Sequence, residues 1–166
     1  QAIVGRVITR KGVDISSHVS AISKAVNLVT QDVFQVEAKL SDTDYKGQNI
    51  GNGFYASRCY DIAGKIHLQI LLGVEDALMF RGVNRVRGKQ IKHKEEIVTV
   101  DTQPIFRLLF EGLVKLFQGA NADAPLKNNL LTRDEFRAEF MKGYPCSLLF
   151  GTKHGAFIFC YRSWRA

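Results

Sequence analysis

Hydrophobic and polar positions change period several times along the 166 residues, and each change marks an expected element. "AIVGRVITR", residues 2 to 10, is β-branched and roughly alternating, with Ile3, Gly5, Val7 and Thr9 on one side, and predicts a strand. In "DISSHVSAISKAVNLV" the apolar residues Ile15, Val19, Ile22, Val26 and Val29 recur at steps of four, three, four and three. That spacing lines one stripe of a helix, with Asp14, Ser16 or Ser17 as the N-cap. "VFQVEAKLSD" returns to period two, with Phe34, Val36, Ala38 and Leu40 facing one way and Gln35, Glu37 and Lys39 the other.

"TDYKGQNIGNG" has no period and predicts a long flexible surface connection. From Phe54 to Leu72 the pattern is two strands with a turn at "DIAG", the second alternating Ile66, Leu68 and Ile70 with Lys65, His67 and Gln69. A helix opens at Asp101 or Thr102 and runs to residue 118, tolerating Pro104 in its first turn and stopping at Gly119. It carries Ile105, Leu108, Leu109, Leu113, Leu116 and Phe117. "ANADAPLKNN" reads as a polar linker. "TRDEF" then offers a capping box, with Thr132 as N-cap and Glu135 three residues on, and Phe136 and Phe140 as core contacts before Gly143 and Pro145. Two apolar runs joined by "GTKHG" close the sequence as a hairpin. The expected architecture is α+β: residues 1 to 166 as one domain, the ordered core of a longer chain, with an antiparallel sheet, about three helices and a C-terminal hairpin.

Charge sharpens the picture. There are 23 Lys and Arg against 16 Asp and Glu, a formal charge of +7, which favours polyanionic partners such as nucleic acid, a nucleoprotein or an anionic membrane face. Six of the cations fall in "RGVNRVRGKQIKHK", residues 81 to 94, with no intervening acid. We read this segment as an exposed loop or edge strand whose Arg81, Arg85, Arg87, Lys89, Lys92 and Lys94 contact a nucleocapsid or membrane surface. It lacks aromatics for stacking on bases, so adhesion to a backbone or surface is expected over base reading.

Little else points to chemistry. Cys59, Cys146 and Cys160 form no CxxC pair and suggest a reducing compartment. No apolar run reaches the roughly 18 to 20 residues of a spanning helix, and the first residues lack a signal-peptide core. His18, His67, His93 and His154 fall on separate elements without a second ligand at metal spacing, so no metal and no cofactor is expected. Asp134, Glu135 and Glu139 sit at a helix start, where the dipole favours carboxylates without any catalytic role. "GNGFYAS" invites comparison with ADP-ribosyltransferases, with Arg6 as a phosphate ligand and Gly51, Gly53 and Tyr55 at the pocket, but lacks the Glu-x-Glu partner. The chain is therefore expected not to be an enzyme.

One family resemblance spans three segments. "DEFRAEFMKGYPCSLLFGTKHGAFIFCYRSW" resembles the end of rhabdovirus matrix proteins through Phe136, Arg137, Met141, Gly143, Lys153, Gly155, Ala156 and Phe157. "YDIAGKIHLQILLGVED" is similar to the long strand of that family, and "VITRKGVDISSHVSAISKAV" to its opening strand and first helix. The basic segment and the helix from 102 to 118 have no counterpart, nor does the Pro-rich late-domain motif. The resemblance implies a self-associating structural protein that condenses a viral nucleocapsid or RNA. Its setting would be the virion, beneath the envelope against the anionic inner leaflet and a glycoprotein tail, and the host cytoplasm or nucleus during infection. The alternatives are a basic nucleic-acid-binding subunit of a ribonucleoprotein and, third, the ADP-ribosyltransferase-like enzyme.

Overall fold

The hairpin expected between Phe54 and Leu72 is the centre of the molecule. In the computed structural model, which describes residues 16–47, 52–121 and 123–166, β2 (Gly53–Ile62) and β3 (Ile66–Glu75) pair antiparallel along their whole length, from Gly53 opposite Glu75 to Ile62 opposite Ile66. Gly64 takes the left-handed conformation at φ 72° in the turn, where its amide donates to Asp61 Oδ2 at 2.8 Å. β6 (Gly155–Arg165) lies on the other side of β3 and turns back into β5 (Cys146–Thr152), so the C-terminal hairpin extends the same sheet. β1 (Lys39–Asp42) and β4 (Lys127–Leu131) form the two edges. The order is β1-β5-β6-β3-β2-β4, with all named neighbours antiparallel.

Among the described residues there are four α-helices: α1 (Ser16–Phe34), α2 (Asp76–Arg87), α3 (Thr99–Val114) and α4 (Arg133–Phe140). The first three cover one face of the sheet. The expected stripe of α1 points inward, with Ile22 and Val26 fully buried, Val29 nearly so and Val19 packed against them. Gly82 of α2 sits so close to Phe34 that a Cβ there would lie 2.6 Å from the ring, and Gly112 of α3 meets Val29 in the same manner. The two glycines let α1 lie low against its neighbours.

Both faces of the sheet are covered, which explains the unbroken run "ILL" in β3. Ile70 and Leu72 enter the large core, while Leu71, on the opposite side of the pleat, enters a smaller one with Tyr45, Tyr55, Phe136, Tyr144, Ile158 and Cys160. α4 closes this second core. Its capping box is formed as expected: Thr132 Oγ1 accepts from the Glu135 amide at 3.1 Å and Glu135 Oε1 from the Thr132 amide at 2.8 Å.

The α+β class, the antiparallel sheet and the hairpin thus agree with the sequence expectation. Several boundaries differ. The expected strand 2 to 10, Arg6, Asp14, Ile15 and Gly51 lie outside the described residues, as does the side chain of either candidate cap serine. α1 runs on to Phe34, so the alternation of Phe34, Val36 and Ala38 inward against Gln35 and Glu37 outward is kept by a bend after the helix, and only Lys39–Asp42 is a strand. Tyr45 is buried in what was expected to be a surface connection. The polar linker ends in the edge strand β4, whose exposed side chains carry almost no apolar signal.

The basic segment is the largest difference. Arg81, Arg85 and Arg87 are on helix α2, not in a loop or edge strand, and only the part beyond Gly88 is a connection. Leu78, Met79 and Val83 form the buried side of α2, and Gly88 caps it at φ 67°.

Candidate functional site

The six cations follow from that helix. Arg81 Nε donates to the Phe34 carbonyl at 2.5 Å and an Arg85 guanidinium nitrogen to the Asp32 carbonyl at 2.6 Å, so both satisfy carbonyls at the C-terminal end of α1. Lys89 Nζ lies 2.7 Å from Asp101 Oδ1 and Arg87 Nε 3.6 Å from it. Asp101 is fully buried in the first turn of α3, and its Oδ2 also accepts from the Val98 amide at 3.2 Å. The Lys89 ammonium, then the Val98 amide and the Arg87 charge, hold its carboxyl below the ordinary Asp range against the opposing effect of burial. Lys94 Nζ stands 3.7 Å from Asp76 and 5.0 Å from the centre of the Phe54 ring. Of these six cations only Lys92 makes no ion pair or side-chain hydrogen bond with a described residue. The segment is a set of tethers between helix ends, although Arg85, Arg87, Lys89, Lys92 and Lys94 remain exposed at the surface.

Two of the clefts against α3 are the most informative. The first is a groove of about 690 Å³ between α1 and α3, lined by Ala25, Leu28, Val29, Gly112, Lys115 and Leu116, with Gln31 and Asp32 at one end. Leu28 is 63% exposed there, one position off the buried stripe of α1, and Lys115 stands on the opposite bank. The second cleft, about 490 Å³, lies between α3, β2 and the edge strand β4.

The other candidates of the sequence are structural. Cys59, Cys146 and Cys160 are buried free thiols, and burial pushes Cys146 and Cys160 up to about 12, so neither supplies a thiolate near neutrality. The Tyr55 ring is stacked on Phe136 with centroids 4.3 Å apart, inside the small core. His67 packs edge-on against Trp164. Among the described residues no three His, Cys, Asp or Glu side chains gather as a metal site, and no helix is long and apolar enough to cross a membrane.

No family model and no curated protein matches the chain. Solved structures do. The chemotaxis protein CheX from Vibrio vulnificus superposes with a TM-score of 0.60 at 11% identity, over 90% of this chain and 100% of that one. A CheC-like superfamily protein from Shewanella sp. PV-4 gives 0.57 at 12% identity over 89% and 98%. CheX from Desulfovibrio desulfuricans gives 0.52 at 13% identity over 89% and 99%. At such identities the likeness is one of fold: this chain has the fold of the CheX and CheC-like proteins.

That finding overturns the matrix-protein expectation and what came with it: self-assembly into a lattice, binding of nucleocapsid, RNA, inner leaflet or glycoprotein tail, and residence in a virion or infected host cell. The ribonucleoprotein subunit and the ADP-ribosyltransferase-like enzyme fall with it. The reason is visible in the motifs. A small turn, a "G-x-I-x-L" strand and a "K-x-x-G-A-aromatic" hairpin are what any two-sided antiparallel sheet requires at those points, here β2 to β3 and β5 to β6.

Sequence reasoning missed Leu28 and Arg58. Leu28 had a signal, an apolar residue outside the helical stripe. Arg58 had one too: a cation in the middle of the otherwise uncharged run "FYASRCY".

Proposed function

We propose that the chain is a protein-docking module of the bacterial chemotaxis type, a binder without a reaction of its own, working inside a bacterial cell. The observation that carries this reading is the superposition on whole CheX and CheC-like chains over about nine tenths of this one. The surface that fits the role is the groove between α1 and α3. Leu28, Ala25, Val29 and Leu116 offer an apolar seat, and the exposed Lys115 stands beside it. A partner presenting an apolar side chain flanked by carboxylates complements it, as charge steers the encounter and Leu28 becomes buried against the partner.

The test is titration of purified cytoplasmic chemotaxis proteins into the isotope-labelled chain. Binding should move the amide resonances of Ala25, Leu28 and Lys115, and Leu28→Asp should abolish it. The reading fails if none of those proteins binds, or if the aspartate variant binds as well as the parent.

A further inference from the structure

We propose a second site that does not depend on the docking reading: a receptor for a small phosphate-bearing molecule in the cleft between α3, β2 and β4. Its centre is Arg58. This residue is only 8% exposed. Its Nε donates to Asn128 Oδ1 at 3.2 Å, and the guanidinium lies 5.0 Å from the centre of the Phe110 ring. Among the described residues no carboxylate comes within 4.0 Å of it. A buried guanidinium without an anion is costly, and proteins ordinarily pair such a charge. Here the charge faces a cleft instead.

The cleft supplies the rest of an anion site. Arg87 and Arg107 line it with Arg58, and the neutral amides of Gln103, Asn128 and Asn129 add donors without adding charge. Two acids stand near. Asp101 lies 3.6 Å from Arg87 and is shared with Lys89, and Glu111 lies 3.7 Å from Arg107 on the exposed side of α3. Counting Arg58, Arg87, Lys89 and Arg107 against Asp101 and Glu111 leaves two positive charges. That excess favours a phosphate dianion over a monocarboxylate, and the guanidinium forks can hold it through paired hydrogen bonds. Val100, Pro104, Phe106 and Leu130 form an apolar wall for the remainder of the molecule. The volume falls within the usual range for small-ligand sites.

The experiment is calorimetric and NMR titration of the whole chain at constant ionic strength with inorganic phosphate, adenosine 5′-monophosphate and acetate as probes. Phosphate and the nucleotide should bind, acetate should bind more weakly, and the side-chain amides of Asn128 and Asn129 should shift. Arg58→Lys keeps the charge but not the fork and should weaken binding about tenfold. Arg107→Ala, on the exposed rim where the fold is not at stake, should weaken it by about threefold. Tighter binding of the nucleotide than of phosphate identifies an organic ester, and equal binding identifies free phosphate. Absence of binding by both probes, or unchanged binding in both variants, overturns the proposal.

Discussion

Beneath α1, α2 and α3 the sheet is covered by side chains that arrive at helical spacing, such as Ile22, Val26, Ile105 and Leu109. Beneath α4 it is covered by rings gathered from separate stretches: Tyr45 from a connection, Tyr55 from β2, Phe136 and Phe140 from the helix and Tyr144 from the segment after it. The first face is a periodic core and the second an aromatic one, finished by polar contacts at its rim. There Tyr144 donates to Glu139 at 2.6 Å, and Arg162 lies 5.5 Å over the Tyr144 ring. Burial first, and then the Glu139 carboxylate, push the Tyr144 phenol upward, so it remains a donor throughout the neutral range. Both proposed sites lie against α3, on the periodic side.

The comparison can be broken by measurement. The largest expected effect is in the periodic core. Leu109 is fully buried among three helices and the sheet, so Leu109→Ala should cost about 4 kcal/mol in denaturant unfolding. Phe136→Ala, in the smaller core under a short helix that can settle into the space, should cost about 3 kcal/mol. A larger loss at Phe136 than at Leu109 would mean that α4, not the three-helix layer, holds the sheet.

Asp101 sharpens the contrast between tethered and available charge. Asp101→Asn removes the partner of Lys89 and Arg87, but both cations are partly exposed and can return to water. The cost should therefore be about 2 kcal/mol rather than that of a fully buried pair. Because the folded carboxyl is held below its ordinary value of 3.8, its contribution is present above that pH and is lost as pH falls through the lower folded value. Acid titration of stability should accordingly be steeper below pH 3.8 in the parent than in the asparagine variant.

Smaller still is the cap of α4, where Thr132→Ala should cost about 1 kcal/mol by thermal or denaturant unfolding. Smallest is Leu28→Asp, an exposed position whose stability should change by no more than about 0.5 kcal/mol while docking is lost.

Legibility followed how local each signal is. The stripe of α1 and the Thr132 capping box were readable because a single element contains all the information. So was the β2 to β3 turn, where a glycine beside alternating residues has one local explanation. Arg81 and Arg85 were misplaced because an uncompensated charge run looks the same in a loop as on a helix whose basic side chains reach another helix's carbonyls. β4 was invisible because, of its five residues, only Leu131 is drawn into a core, so the strand shows no apolar alternation. The anion cleft needed Arg58, Arg87 and Arg107, three residues far apart in sequence whose only common signal is charge.

The sequence by itself determined the α+β class, the antiparallel hairpins and the position of the buried stripes, since these depend on spacing within a few residues. Only the tertiary structure decided which chemotaxis-type fold those pieces make, which cations are tied to Asp101, Asp76 and the end of α1, and which remain for a ligand. Those outcomes are set by distances between elements remote in the chain. Local periodicity carries no information about which carboxylate or carbonyl a long basic side chain will reach.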